Sequence, residues 1–210
     1  MQNLQTILKQ QGYYTGAIDG IIGPLTLTGT KQFIDDECTK RGWVKPVTDL
    51  VFVRTQKNLD NKFSDYCIRF NNRVADMVMP CSTRPGFYWI QNPVTVGGIT
   101  GTAIAVQQQT IASHRFTTSG NWKSLWLGAP YFYQAGAIEI YRDGNKDLNI
   151  DTAIKTKGYY GINWHRGGIG IGTAVDQWSA GCMVVPDARW FEAIKIFKAN
   201  ALYNFTLIEL

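Results

Sequence analysis

Histidine is nearly absent from this chain: two residues, His114 and His165, stand among 210. A metal centre built on several imidazoles is hard to assemble from so few, and neither an HExxH nor a paired-His motif occurs. Cysteine is also sparse, with Cys38, Cys67, Cys81 and Cys182. Their spacing fits neither a disulfide-dense scaffold nor a CxxC zinc site, so four reduced thiols are expected, three structural and one reactive. No apolar run approaches the roughly 20 residues that cross a bilayer, so no membrane insertion is expected. The opening Met1-Gln2-Asn3-Leu4 lacks a basic n-region and an apolar h-region. The expectation is cytoplasmic synthesis without a signal peptide, so that another route would have to carry the chain to any extracytoplasmic target. Lys and Arg form no run and no recognition motif, which argues against nucleic acid as a partner. Internal repeats and low-complexity tracts are missing too.

What is present describes an ordered globular chain: 45% of residues are hydrophobic and only 18% charged, too apolar for disorder. A net charge of +5 and a pI near 9.0 suit attraction to an anionic polymer such as a cell wall. Ten Tyr, seven Trp and ten Phe supply a core and enough surplus to line a carbohydrate or peptide cleft.

Residues 1–46 read as a small helical unit. Leu4, Ile7 and Leu8 share a helical face, and Gly12 is the expected stop. Pro24 suits the first turn of a second helix running through Leu27, Lys31, Phe33 and Ile34 towards Gly42. Between them lies Tyr13-Tyr14-Thr15-Gly16-Ala17-Ile18-Asp19-Gly20-Ile21-Ile22-Gly23-Pro24. This order, with Gly12, Gly16, Gly20, Gly23 and Asp19, resembles a peptidoglycan-binding domain of the three-helix type. The resemblance implies wall docking with Asp19 at the binding loop, and a third helix within residues 48–60. Lys45-Pro46-Val47-Thr48 is the expected linker, giving modules of 1–46 and 47–210.

Beyond it the pattern shifts to period two. Leu50–Val53, Tyr66–Phe70, Val74–Met79, Thr102–Val106, Ala137–Tyr141, Gly161–Trp164 and Phe205–Ile208 read as strands, with a hairpin turn at Asn71-Asn72. Asp187–Asn200 reads as an amphipathic helix with Trp190, Ala193, Ile194 and Phe197 on one face. The fold class expected is α+β, a helical N-terminal module followed by a mainly-β sheet or sandwich domain with one late helix.

Chemistry concentrates late in the chain. His165-Arg166 precedes Trp178-Ser179-Ala180-Gly181-Cys182, a turn rich in small residues that runs into the apolar Met183-Val184-Val185. A thiol needs a base to become a nucleophile near neutral pH, and imidazole titrates there. Amides of Ala180 to Cys182 are placed to hold an oxyanion. A His followed by Ser-x-Gly-Cys resembles the L,D-transpeptidase (YkuD-type) signature, in phage-encoded, endolysin-like form. That resemblance implies a Cys182 nucleophile, a His165 base oriented by the carbonyl of Arg166, and Ser179 and Gly181 shaping the turn. It also implies peptidoglycan as partner and no cofactor. Cysteine peptidases with the Cys upstream of the His have the opposite order. The chain departs from the family pattern at Arg166, at Ala180 in place of a second His, and at Val184 in place of Arg or Asn. Asp176 is an alternative orienting residue, and Trp164, Trp178 and Tyr160 are expected along the cleft.

Other readings stay open. A zinc amidase would use His114, His165 and Cys182 or Asp176. Cross-link formation by an L,D-transpeptidase, and a non-catalytic wall-binding or virion protein, are the remaining two. His114 is expected at a cleft rim or strand turn. A muramidase needs a catalytic Glu beside a second carboxylate, but Glu37 reads as a solvated residue on a charged helix face. Asp143-Gly144-Asn145-Lys146-Asp147-Leu148-Asn149-Ile150-Asp151 alternates oxygen ligands as calcium loops do, yet Leu148 and Ile154 sit where an EF-hand wants Gly and Glu; a polar turn is expected.

Overall fold

The computed structural model describes residues 1–56, 58–118, 130–167, 173–186 and 189–210. Two helices open the chain, α1 (Gln2–Gln10) and α2 (Pro24–Arg41). Helix α1 ends as expected: the Tyr13 amide donates to the Leu8 carbonyl at 2.8 Å across Gly12, whose φ is +83°. Helix α2 carries Pro24 in its first turn and closes on left-handed Gly42, over which Trp43 donates to Cys38 at 2.8 Å. Pro at the start and Gly past the end satisfy or remove the backbone groups a helix leaves unpaired. The span expected to hold a third helix instead begins β1 (Asp49–Arg54), because Leu50-Val51-Phe52-Val53 is buried on both sides and β-branched or aromatic residues pack well there.

Strands β2 (Asp65–Asn71) and β3 (Val74–Cys81) form the expected hairpin. Its turn lies one residue later than expected: Asn71 pairs with Val74, and Asn72 and Arg73 hold φ of +47° and +66°, the handedness that two-residue hairpin loops demand. A short helix α3 (Phe87–Gln91) and the small hairpin β4 (Thr95–Val96) and β5 (Ile99–Thr100) lead to β6 (Thr102–Ala105). Then come β7 (Gln108–Thr117), β8 (Tyr131–Gln134), β9 (Ile138–Asp143), β10 (Lys155–Gly158), β11 (Trp164–Arg166) and β12 (Met183–Val185). Helix α4 (Arg189–Ile194) and β13 (Leu202–Glu209) end the chain.

The architecture is α+β and mainly β. Eight strands follow the order β12-β11-β8-β7-β13-β1-β2-β3, and β10-β9-β6 form a second sheet. The two edges of the large sheet meet, since Ser82 just after β3 exchanges hydrogen bonds of 2.8 and 3.0 Å with Val184 of β12. The sheet therefore curls back on itself, which covers edges that would otherwise recruit other chains. Leu50, Phe52, Phe116, Phe132, Trp164, Met183 and Phe205 fill one face, and Trp190, Ala193 and Phe197 pack against them with Ile138 and Ile140 of the second sheet.

On the other face Leu4, Leu8, Phe33, Ile34 and Cys38 of the helices share a core with Val51, Val53, Ile68, Phe70 and Ile208. A continuous apolar layer thus crosses the segment boundary expected at 46 and 47. Glu37 is buried here and ion-paired with Lys40 and Arg41 rather than solvated. Two late elements also differ from expectation. Residues 159–163 are irregular rather than a strand, so His165 lies inside β11 instead of ending a longer strand. The helix expected over Asp187–Asn200 is described only as α4, Phe197 packing from the turn beyond it; Asp187 and Ala188 lie outside the described residues.

Candidate active site

Strands β11 and β12 run parallel, with Trp164 opposite Met183, His165 opposite Val184 and Arg166 opposite Val185. Side chains alternate across a strand, so His165 and Val184 share a face; Cys182 lies two residues before Val184, just outside β12. The Nδ1 of His165 lies 2.8 Å from the carbonyl oxygen of Arg166. A carbonyl only accepts, so Nδ1 carries the proton and Nε2 carries the lone pair of the neutral ring. The Arg166 guanidinium stacks over Phe191 at 4.8 Å, so this residue acts on His165 through its backbone. Asp176 is exposed and accepts from the Asn61 side-chain amide at 2.6 Å.

The turn before Cys182 is tied to itself. Ser179 is buried; its hydroxyl donates to the Cys182 carbonyl at 2.8 Å and accepts from the Gly181 amide at 3.1 Å. Of the three amides expected to face an oxyanion, that of Gly181 is therefore spent inside the turn, which leaves Ala180 and Cys182 as the candidate donors. Gly181 holds φ of +126°, and a Cβ there would come within 2.3 Å of the Ala103 carbonyl oxygen, so only glycine fits. The turn is held from outside as well. Gly86 donates to the Ser179 carbonyl at 2.9 Å, the Trp89 indole donates to the Gln177 carbonyl at 3.0 Å, and the Asn61 side-chain Oδ1 accepts from the amides of Asp176 and Phe87 at 2.8 and 3.1 Å. Asn61 and Gly86 were not legible as site residues, because neither lies near the motif in sequence.

Cys182 lines a cleft of about 780 Å³ whose walls include Trp89, Tyr131, Tyr133, Tyr160 and Trp178. Tyr160 and Trp178 are among its lining residues. Trp164 is not: it is fully buried, stacked on His114 and packed edge-on to Phe52, because its position on β11 faces the core. Asp19 is away from this cleft; its Oδ1 accepts from the Gln5 side chain at 2.8 Å and from the Ile21 amide at 2.9 Å, closing the interhelical loop. His165 is 4% exposed and does not line the cleft. Of the loop expected at Arg166-Gly167-Gly168, Arg166 instead ends β11, and Gly168 lies outside the described residues.

His114 overturns its expected place at a rim. It is fully buried on β7, with Nε2 2.8 Å from the Ile162 carbonyl and Nδ1 3.0 Å from the Ser113 hydroxyl. Nε2 therefore donates and Nδ1 accepts, and burial holds its pKa down to about 3. With both nitrogens engaged it has no lone pair to offer zinc, so the His114-His165-Cys182 ligand set does not fit this geometry. Among the described residues no three His, Cys, Asp or Glu side chains are grouped to hold a metal ion. In the 143–151 loop the oxygens cap backbone amides: Asp143 takes Asp151, Asn145 takes Asp147, Asp147 takes Asn149 and Asp151 takes Ala153. Cys67 and Cys81 are buried thiols pushed well up by desolvation, and Cys38 is raised to about 11; none is paired in a disulfide.

Burial of neutral His114 has a consequence for acid stability. Its folded pKa lies below the ordinary value of 6.5, so between about pH 6.5 and about 3 the unfolded chain binds the extra proton. Stability is full above that window and falls as pH drops through it, by up to about 1.4 kcal/mol per pH unit from this one group. Urea unfolding at pH 7, 5.5 and 4.5 is expected to show this acid slope in the parent and a shallower one in His114→Phe. Equal slopes would mean that His114 does not carry it.

No protein-family model matches the chain, and no curated protein matches it. Among solved structures, an L,D-transpeptidase domain from Xylanimonas cellulosilytica is similar at 15% identity, covering 98% of this chain and 91% of that one with a TM-score of 0.31. Chains superposable only to that extent need share neither strand detail nor chemistry. No helix among the described residues is long and apolar enough to cross a membrane.

Proposed function

We propose that this chain is a cysteine-dependent enzyme of peptidoglycan, L,D-transpeptidase-like in its site and hydrolytic, in the manner of an endolysin, in its outcome. The observation that carries this reading is the 2.8 Å contact from His165 Nδ1 to the Arg166 carbonyl. It leaves Nε2 as the basic nitrogen, and Cys182 lies two residues before Val184, the cross-strand partner of His165. Imidazole Nε2 takes the thiol proton and the thiolate attacks a stem-peptide amide carbonyl. The Ala180 and Cys182 amides receive the developing oxyanion. His165 returns the proton to the leaving amine, and water activated by the same nitrogen resolves the thioester, regenerating the thiol. The aromatic walls of the cleft suit a peptide joined to sugar. Residues 1–46, which expose Ile18, Ile21 and Leu25 around the Asp19 loop, are proposed to dock on the wall. Docking concentrates the catalytic part, residues 47–210, at an insoluble polymer.

Purified protein incubated with isolated peptidoglycan, with products weighed by mass spectrometry, tests this. Soluble cleaved peptides are expected, undiminished by EDTA. New cross-links or exchanged amino acids would make the enzyme a transferase instead. Activity lost to EDTA and restored by zinc would replace the thiol mechanism with a metal one. Binding without any product would make it a wall-binding or virion protein.

A further inference from the structure

Residues 159–163 make an arch between β10 and β11 that belongs to no strand ladder, so its backbone groups must find other partners. Two side chains supply them. Gln134 on β8 accepts through Oε1 from the amides of Tyr160 and Ile162 at 2.9 and 3.1 Å, and donates to the carbonyls of Gly158 and Gly136 at 2.8 and 2.9 Å. His114, directly opposite Gln134 in the β7–β8 register, donates to the Ile162 carbonyl at 2.8 Å. The same arch holds the sulfur of Cys182. The Asn163 amide donates to Sγ, and Sγ donates to the Gly161 carbonyl, each at 3.4 Å.

These contacts fall on two consecutive planar peptide units. In the unit joining Ile162 to Asn163, His114 holds the carbonyl end and the N–H end points at the sulfur. In the unit joining Gly161 to Ile162, Gln134 holds the N–H end and the carbonyl end points at the sulfur. We infer that His114 and Gln134 are positioning residues that act on Cys182 through these peptide planes with opposite sign, His114 favouring the thiolate and Gln134 the thiol. This rests on Cys182 being the reactive thiol of the proposed function. A donated hydrogen bond favours a charged sulfur, whereas a carbonyl oxygen favours S–H. A hydrogen bond at one end of a peptide strengthens the dipole at the other. The fully buried His114 is neutral, which fixes its Nε2 as the donor.

Among the described residues, the titratable and charged side chains on the elements around Cys182 are His165 on β11, His114 on β7, Tyr131 and Tyr133 on β8, Tyr160 on the arch and Arg142 of β9 behind Tyr160. Asp176 is turned to Asn61 and Arg166 to Phe191. Gln134→Met changes none of these groups, and His114→Phe keeps a ring against Trp164 while removing the donor.

The test is the pH dependence of Cys182 alkylation by iodoacetamide, read on the Cys182 peptide by mass spectrometry, with thermal melts as a check of folding. The titration midpoint is expected to rise by about half a pH unit or more in His114→Phe and to fall by a similar amount in Gln134→Met. His114→Gln, which keeps a donor, is expected to return towards the parent. Shifts of the same sign, or none in folded variants, overturn the inference. Should His114→Phe not fold, a downward shift in Gln134→Met supports it and an upward or absent one overturns it. Alkylation needs no substrate, so failure of this test is separate from failure to cleave peptidoglycan.

Discussion

Cys182→Ala is expected to release no measurable peptide from peptidoglycan, with turnover reduced on the order of 10⁴-fold or more, as when other acyl-transfer enzymes lose their nucleophile. The loss should be chemical and not structural. The sulfur makes long contacts of 3.4 Å to the arch, while the turn around it is held by Ser179, whose hydroxyl bonds only backbone groups of the turn. Deleting one sulfur atom costs about 1 kcal/mol at such a site, so the variant should melt close to the parent and still sediment with the wall. His165→Gln tests the second half of the pair and should cost about 10²–10⁴-fold, the range for removal of a general base. A Cys182→Ala protein that cleaves at the parental rate would sink the thiol mechanism at once.

The second large effect is on stability, at a cluster of buried charge beside the cleft. The Asp65 carboxylate is fully buried. It accepts from the amides of Thr55 and Thr83 at 3.0 Å each, from the Thr83 hydroxyl at 2.7 Å and from two nitrogens of Arg84 at 3.2 Å. Arg84, also buried, reaches on to Asp60, the Ser64 hydroxyl and the Asn58 carbonyl. Arg54 lies alongside, bonded to Thr83 and to Glu209. Asp65→Ala would leave the Thr55 and Thr83 amides without their acceptor inside the protein and strip the buried Arg84 guanidinium of its fully buried carboxylate, with Asp60 its remaining ion-pair partner. Breaking one side of such a group costs about 3–5 kcal/mol, because the remaining charge stays desolvated. Urea denaturation should show that loss, with Asp65→Asn intermediate; a change below about 1 kcal/mol would mean that water or rearrangement takes over from the carboxylate.

The same cluster bears on the site. It fixes the segment 58–65 from which Asn61 reaches the Asp176 turn and the amide of Phe87. Asp65→Ala should therefore loosen the cleft wall formed by Trp178 and Trp89 as well as the fold.

Much of this protein was legible in its sequence, and for identifiable reasons. The Pro24 and Gly42 limits of α2, the β1–β3 strands and β13 follow from local periodicity and backbone chemistry. The contact of His165 with the Arg166 carbonyl was an expectation of the family resemblance alone, not of the residues around it. Trp164 was misplaced because a strand of three residues gives too little alternation to tell its faces apart. The hairpin turn slipped by one residue because Asn71 and Asn72 are chemically equal and only the pairing register distinguishes them.

By itself the sequence determined the α+β class, the limits of the first two helices and the presence of a thiol, an imidazole and a small-residue turn within one short segment, since each depends on neighbours along the chain. Only the tertiary structure decided which residues meet across large separations. It joined β3 to β12 through Ser82 and Val184, buried His114 opposite Gln134, set both against the arch that holds Cys182, and gathered Arg54, Asp65 and Arg84 into one charged core. Those placements follow from sheet register and the closing of the sheet, which no local pattern encodes.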